Sequence, residues 1–252
     1  MKRILCLLCF LSVVGIGAQT KQQTNNQAKH QSNNQETKKI GIKDIFLMLP
    51  DSAFDHQDFT LENRKKMLKT IGKQPEMKDD NNENTYSYIE VCDPRNGYLS
   101  AFYYFLEGYK YEICYWNLKD GRKLVGVNKD EGHGELQFYL YENGKLKKDT
   151  SYEPNTYDIQ VSDFFETSHL NSKEKKILQD LFKNRIVFQY VLPRKGTSIE
   201  MHVGSIPFDM DYESMFDEAG LKDEKVVYKH IIFKWVNEKW VKEVRKGFKT
   251  AE

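Results

Sequence analysis

Two short stretches gather carboxylates around an imidazole. Asp51-Ser52-Ala53-Phe54-Asp55-His56-Gln57-Asp58 holds three Asp and one His in eight residues. Oxygen donors with one imidazole suit a hard divalent cation. The stretch lacks the central Gly and the closing Glu of a calcium loop. It therefore reads first as a polar connection between helices, with Asp51 or Asp58 capping. Asp130-Glu131-Gly132-His133-Gly134-Glu135 is the second stretch. His133, flanked by Asp130 and Glu135, can ligate zinc or act as a base. A hairpin loop explains its glycines equally well.

Trp116, Trp235 and Trp240, with neighbouring tyrosines, are candidates for a sugar-stacking platform, because flat aromatic faces suit flat ligands. Packing within a sheet is the plainer reading of the same residues. His202 and His230 fall inside candidate strands and read as satisfied strand histidines. His169 and His30 have no evident role. Lys145, Lys147 and Lys148 form a charged strand end. The sequence has no Gly-x-Ser-x-Gly, no His-Glu-x-x-His, no phosphate-cradling Gly-rich loop and no dinucleotide fingerprint. Cys114 lies between Ile113 and Tyr115, where a buried thiol is inert. Catalytic triads are recognised by geometry, so an enzyme reading stays open. No cofactor is implied.

The elements that position these residues follow from patterning. Residues 1–18 read as a signal peptide: Lys2 and Arg3 precede a charge-free run from Ile4 to Ala18. The run has about 15 residues, short of the roughly 20 that span a bilayer. Its removal leaves 36 cations against 37 anions, and only Cys92 and Cys114. Such a balance argues against nucleic acid as the main partner. Residues 19–40 are rich in Gln and Asn and read as a disordered linker.

The folded body is expected over 41–252, with a subdivision at 41–160 and 161–252. Ile42, Ile45, Phe46 and Leu49 recur at helical spacing. A second helix is expected from Thr60 to Ile71, with Leu61, Leu68 and Ile71 as its apolar stripe. Residues 73–84 read as loop. Five strands are expected at 85–92, 98–105, 109–118, 122–128 and 135–141, punctuated by Asn96-Gly97, Asp120-Gly121 and Asn143-Gly144. Leu136, Phe138 and Leu140 alternate with polar neighbours, as on a sheet with one wet face. A connector spans 149–170. A helix capped by Ser172, strands at 185–192 and 197–203, a short helix over 211–219, and a hairpin joining 225–236 to 239–246 complete the chain. The fold class is α+β: an antiparallel meander with flanking helices, in two loosely similar halves. The meander places a strand between Cys92 and Cys114 and turns their side chains to opposite faces, so no disulfide is expected.

The signal ending at Ala18-Gln19, the DIFLMLPDSAF segment and ICYWNLKDGRKLVGV resemble small exported proteins of unknown function from Gram-negative bacteria. The resemblance covers about the first two thirds and implies export without naming an activity. The leading expectation is an exported, non-catalytic protein that recognises a protein or a cell-surface glycan. A small secreted hydrolase or metal-dependent factor using His133 or His56 is the alternative. An envelope inhibitor or immunity protein is the third. Expected locations are the periplasm, the outer surface or the medium, with no membrane span in the mature chain.

Overall fold

The period-two pattern beginning at Tyr86 builds six antiparallel strands in chain order. In the computed structural model these are β1 (Tyr86–Asp93), β2 (Tyr98–Phe105), β3 (Glu107–Asn117), β4 (Lys123–Asp130), β5 (Gly134–Glu142) and β6 (Lys145–Lys148), ordered β1-β2-β3-β4-β5-β6. The structure describes residues 40–54, 57–74, 86–105, 107–130, 134–204 and 212–247. The expected signal peptide, nearly all of the linker, and Asp55, His56 and His133 lie outside them. The turns at Asn96-Gly97, Asp120-Gly121 and Asn143-Gly144 place their glycines at φ of 68°, 88° and 79°. A side chain is strained in that left-handed region, which explains the residue choice. The lysine run at 145–148 is a strand of its own.

The expectation of one wet face is overturned, because both faces of this sheet are covered. One face packs against the N-terminal segment. That segment comprises helix α1 (Ile42–Met48), helix α2 (Leu61–Met67) and the 3-10 turns between them. Ile42, Phe46, Phe54 and Phe59 meet Ile113, Val127 and Tyr139 there. The other face carries Trp116, Leu124 and Phe138 into a larger core shared with the C-terminal half. Strand β4 is therefore buried on both sides from Lys123 to Asn128. Phe138 is fully buried, whereas Leu136 and Leu140 are only partly so. Leu136→Ala and Leu140→Ala should each cost about 1–2 kcal/mol in chemical denaturation, below the range of a fully buried leucine. A loss above about 3 kcal/mol at either site would contradict this packing.

The C-terminal half supplies a second antiparallel sheet. It consists of β8 (Phe188–Val191), β9 (Ile199–Val203), β10 (Val227–Val236) and β11 (Lys239–Lys246), with short β7 (Phe165–Glu166) pairing with β10. Three helices accompany it: α3 (Val161–Phe164), α4 (Ser172–Asn184) and α5 (Tyr212–Glu218). Asn171, not Ser172, caps α4. Its side-chain oxygen accepts from the Glu174 N–H at 3.0 Å, and Glu174 accepts from the Asn171 N–H at 2.9 Å, a capping box. Phe164, Phe165, Met215 and Phe216 join the core cluster of Trp116 and Phe138, so the spans 41–160 and 161–252 share one hydrophobic interior. No helix among the described residues is long and apolar enough to cross a membrane.

The apolar stripe expected on α2 holds in part. Thr60 caps the helix, and Leu68 and Ile71 pack against the core, but Leu61 is exposed and the fully buried positions are Arg64 and Met67. The Arg64 guanidinium donates to the carbonyls of Phe46 at 2.5 Å and Leu49 at 2.7 Å, and to Asp51 Oδ1 at 2.6 Å. It thereby satisfies the carbonyl end of α1, which has no intrahelical partners.

Cys92 pairs in register with Leu99, and Tyr98 with Cys114. Leu99 and Tyr98 are consecutive, so the two sulfurs leave opposite faces of strands separated by β2. Both cysteines are free. Burial pushes both thiols up, Cys114 strongly so. Thiol titration should give two reactive groups after denaturation, with Cys114 silent in the folded protein. A missing pair of thiols in denatured, unreduced protein would refute this arrangement.

Candidate functional site

The three tryptophans do come together, but they close a seam rather than form a platform. Trp116 is 4% exposed, and its indole N–H donates to the Thr197 carbonyl at 2.9 Å. Its ring centroid lies 5.2 Å from Trp240 and 6.1 Å from Trp235, which lie 4.4 Å from each other. Trp240 Nε1 donates to the Tyr152 carbonyl at 2.7 Å. A ring buried between two sheets offers no free face for a sugar, so Trp116 is removed from the expected stacking set.

The expected metal site is not assembled from its described members. Asp130 pairs with Gly134 across β4 and β5, and Glu135 is the next residue, so the two carboxylates leave opposite faces. Asp130 Oδ2 accepts from Gln189 Nε2 at 2.5 Å, and Glu135 Oε1 accepts from Gln137 Nε2 at 2.7 Å. Among the described residues no three potential ligands converge. Gly134 serves packing instead: a Cβ there would meet the Tyr190 backbone nitrogen at 2.6 Å. In the first stretch, Asp51 is taken up by Arg64.

A cleft of about 870 Å³ is lined by residues of both sheets. Its floor is a polar network on the inner face of β2, β3 and β4. Glu112 is 5% exposed. Its Oε1 accepts from the Tyr98 hydroxyl at 2.8 Å and lies 3.6 Å from Lys110 Nζ. Its Oε2 accepts from the Leu192 N–H at 2.9 Å and from Asn128 Nδ2 at 3.3 Å. Asn128 Nδ2 also donates to the Tyr190 carbonyl at 2.8 Å. A buried carboxylate with this many donors is held in place, and the bonds to Leu192 and Tyr190 tie the end of β8 to the first sheet. The Tyr98 hydroxyl is pushed well above its ordinary value, by burial first and by the Glu112 charge second.

One wall continues through Ser100, whose hydroxyl donates to Glu90 Oε2 at 3.1 Å. The remaining lining comes from the second sheet. Glu200, His202, Ile232 and Arg245 alternate along their strands with Met201 and Ile231 of the shared core, and His230, paired with Arg245, lies beside His202 without lining the cleft. The two imidazoles stack at 5.0 Å with planes 17° apart. His202 Nε2 lies 3.2 Å from Glu200 Oε2. His230 Nδ1 lies 2.8 Å from the Gly247 carbonyl, which only accepts, so Nδ1 carries the proton. The lip is the β8–β9 loop, where Arg194 Nε reaches Asp93 Oδ2 at 3.3 Å and Lys195 projects exposed. The cleft thus offers acceptors at Glu90 and Glu200 and donors at Lys110, Arg194, Lys195 and Arg245. That set hydrogen-bonds polyhydroxylated or peptidic ligands from both sides.

Sequence reasoning found His202 among these residues but gave it a structural part. One signal for the floor was available: Glu112 is in phase with Cys114 and Trp116 on β3, a charge at an inward position. Arg194 and Lys195 carried no signal beyond a basic turn.

No family model and no curated protein matches this chain. A solved structure, a domain of an uncharacterized protein from Porphyromonas gingivalis W83, is similar at 14% identity with a TM-score of 0.49. The match covers 81% of this chain and 98% of that one. At that level the likeness carries no functional inference.

Proposed function

We propose that the protein is exported and recognises a macromolecule, a protein or a cell-surface glycan, without catalysing its conversion, and that the cleft lined by both sheets is the recognition site. The carrying observation is the cleft itself: a large opening whose buried Glu112 network is locked in place while charged groups of both signs reach toward solvent. Preorganised polar groups at a rigid floor favour binding, because little ordering is needed when the ligand arrives. The charge-free run at 4–18 supports export. Both described thiols are pushed toward the protonated form, which disfavours a cysteine nucleophile. The helix-then-strands order recurs in 41–160 and 161–252, and we include two loosely similar halves in this reading, with the cleft where they meet.

The test uses two exposed lip and wall cations. Lys195→Glu with Arg245→Glu should leave the melting temperature unchanged, since exposed surface substitutions act within about 0.5 kcal/mol. Saturable binding to intact envelopes of the native host should fall at least about tenfold, the effect of about 1.4 kcal/mol. Equal binding by wild type and variant, or no saturable binding at all, overturns the proposal.

A further inference from the structure

The cleft does not end at Ser100. Along the same face of β1 and β2, the next two cross-strand pairs are Tyr88 with Phe102 and Tyr86 with Tyr104. All four rings are half-buried. Tyr86 stacks on Tyr104 at 5.1 Å with planes 17° apart, and Tyr88 meets Phe102 at 5.7 Å with planes tilted by 53°. Phe102 lies over Gly108 of β3, where a Cβ would come within 2.1 Å of its ring, so glycine is what lets that ring lie flat on the sheet. An aromatic shelf therefore continues from the polar cleft along β2, with the β1 bulge at Glu90 between the two. Tyr88 lies two residues before Glu90, and Phe102 two after Ser100, which places the shelf next to the cleft wall.

We propose that shelf and cleft together bind one glycan chain bearing carboxylate or sulfate groups, with sugar rings on Tyr88 and Phe102 and an anionic group at Lys195 and Arg194. This rests on the cleft reading above and narrows it to a ligand class. Flat rings bind the apolar faces of sugars, and carboxylates beside them accept from hydroxyls. Lys195 has no ion-pair partner among the described residues, and Arg194 is more than half exposed beside Asp93, so cationic capacity is left at the lip. An acidic peptide would use the lip cations but has no need of a flat aromatic row.

The probes are a hexamer of galacturonate, a heparin hexasaccharide, maltohexaose and poly-L-glutamate, each titrated calorimetrically against the full folded protein. At least one of the two anionic sugars should bind, with the galacturonate and heparin arms telling carboxylate from sulfate. Maltohexaose should bind at least about tenfold more weakly, and binding of the anionic sugar should weaken with salt. Phe102→Leu and Tyr88→Leu keep apolar bulk but remove the flat face. Each should weaken the bound anionic sugar roughly threefold to tenfold, and Lys195→Glu should weaken it further. Two variants are used because either ring alone can matter for folding, and near-UV circular dichroism identifies a variant that has lost its packing. No binding of either anionic sugar, or binding that both folded shelf variants leave unchanged, overturns the proposal. Poly-L-glutamate bound as tightly as the sugars also overturns it, in favour of an acidic peptide. If envelope binding depends on the lip cations but is destroyed by protease and not by glycosidases, the cleft reading stands and the glycan assignment falls.

Discussion

Arg64→Ala should destabilise the protein by about 3–5 kcal/mol, from the cavity left by a large buried side chain and the donor lost by two buried carbonyls. Its guanidinium is 1% exposed and takes three roles at once. It completes the carbonyls of Phe46 and Leu49, binds Asp51, and lies 5.1 Å over the Phe54 ring and 5.8 Å over the Phe46 ring. Alanine would leave two carbonyls without donors and a hole among aromatic rings. For a chain of this size the melting temperature should fall by roughly 10 °C, at about 2–4 °C per kcal/mol. Asp51→Asn should cost under about 1 kcal/mol, because the Asp51 side chain is 61% exposed and solvent screens the pair. The contrast between the two variants is the informative measurement. A loss below about 1 kcal/mol for Arg64→Ala would mean the N-terminal segment is held some other way.

Glu112→Gln should cost about 2–4 kcal/mol at neutral pH while barely changing volume, since hydrogen bonds to a charged group contribute about 1.5–3 kcal/mol each. The carboxylate accepts on both oxygens, whereas an amide accepts on one and donates from the other. If the amide nitrogen takes the Oε2 position, it confronts the Leu192 N–H and Asn128 Nδ2. If it takes the Oε1 position, it confronts Lys110 Nζ. Neither orientation satisfies the site. Urea titration should show the loss, and a second readout identifies its origin. The Tyr98 phenol is held well above the usual phenol range by burial and by the Glu112 charge. A phenol raised on folding contributes stability that is whole below its unfolded value. That stability is lost as pH climbs toward the folded value. Removing the Glu112 charge should therefore let Tyr98 ionise at lower pH, visible as tyrosinate absorbance. An unchanged alkaline titration with unchanged stability would refute the network.

The meander was readable because Asn-Gly and Asp-Gly turns and two-residue alternation are local properties. The covering of its second face was not. Tyr139 falls on the polar side of the alternation with Phe138 and Leu140, yet Tyr139, Tyr103 and Tyr111 are each at most 3% exposed under the N-terminal segment. Which face a distant segment covers is set by tertiary packing and leaves no local trace. Arg64 was missed for a related reason. In Leu-Glu-Asn-Arg the leucine looks like the inward residue, but the helix turns the arginine inward because unsatisfied carbonyls of α1 lie opposite. The tryptophans were noticed for their type, and their convergence at the seam depended on contacts about 120 residues apart in sequence. The cleft was the least legible part, since its walls come from strands at opposite ends of the body. Only Glu112, out of place among inward apolar residues, marked it.

Glu90 interrupts the register of β1 against β2: Ile89 faces Ala101 and Val91 faces Ser100, leaving Glu90 as an extra residue. Among the described residues β1 ends one side of the first sheet; the Gly72 N–H donates to its Ile89 carbonyl at 2.8 Å, and the remaining outer backbone groups are a template for another strand. A bulge kinks that template and sharpens its twist, and the extra residue is a carboxylate. The far side ends in β6, only four residues long and three of them lysine. Both borders of a tyrosine-rich sheet are thus unsuited to adding a second chain edge to edge. The feature that contributes Glu90 to the cleft also blunts this edge against pairing with another strand.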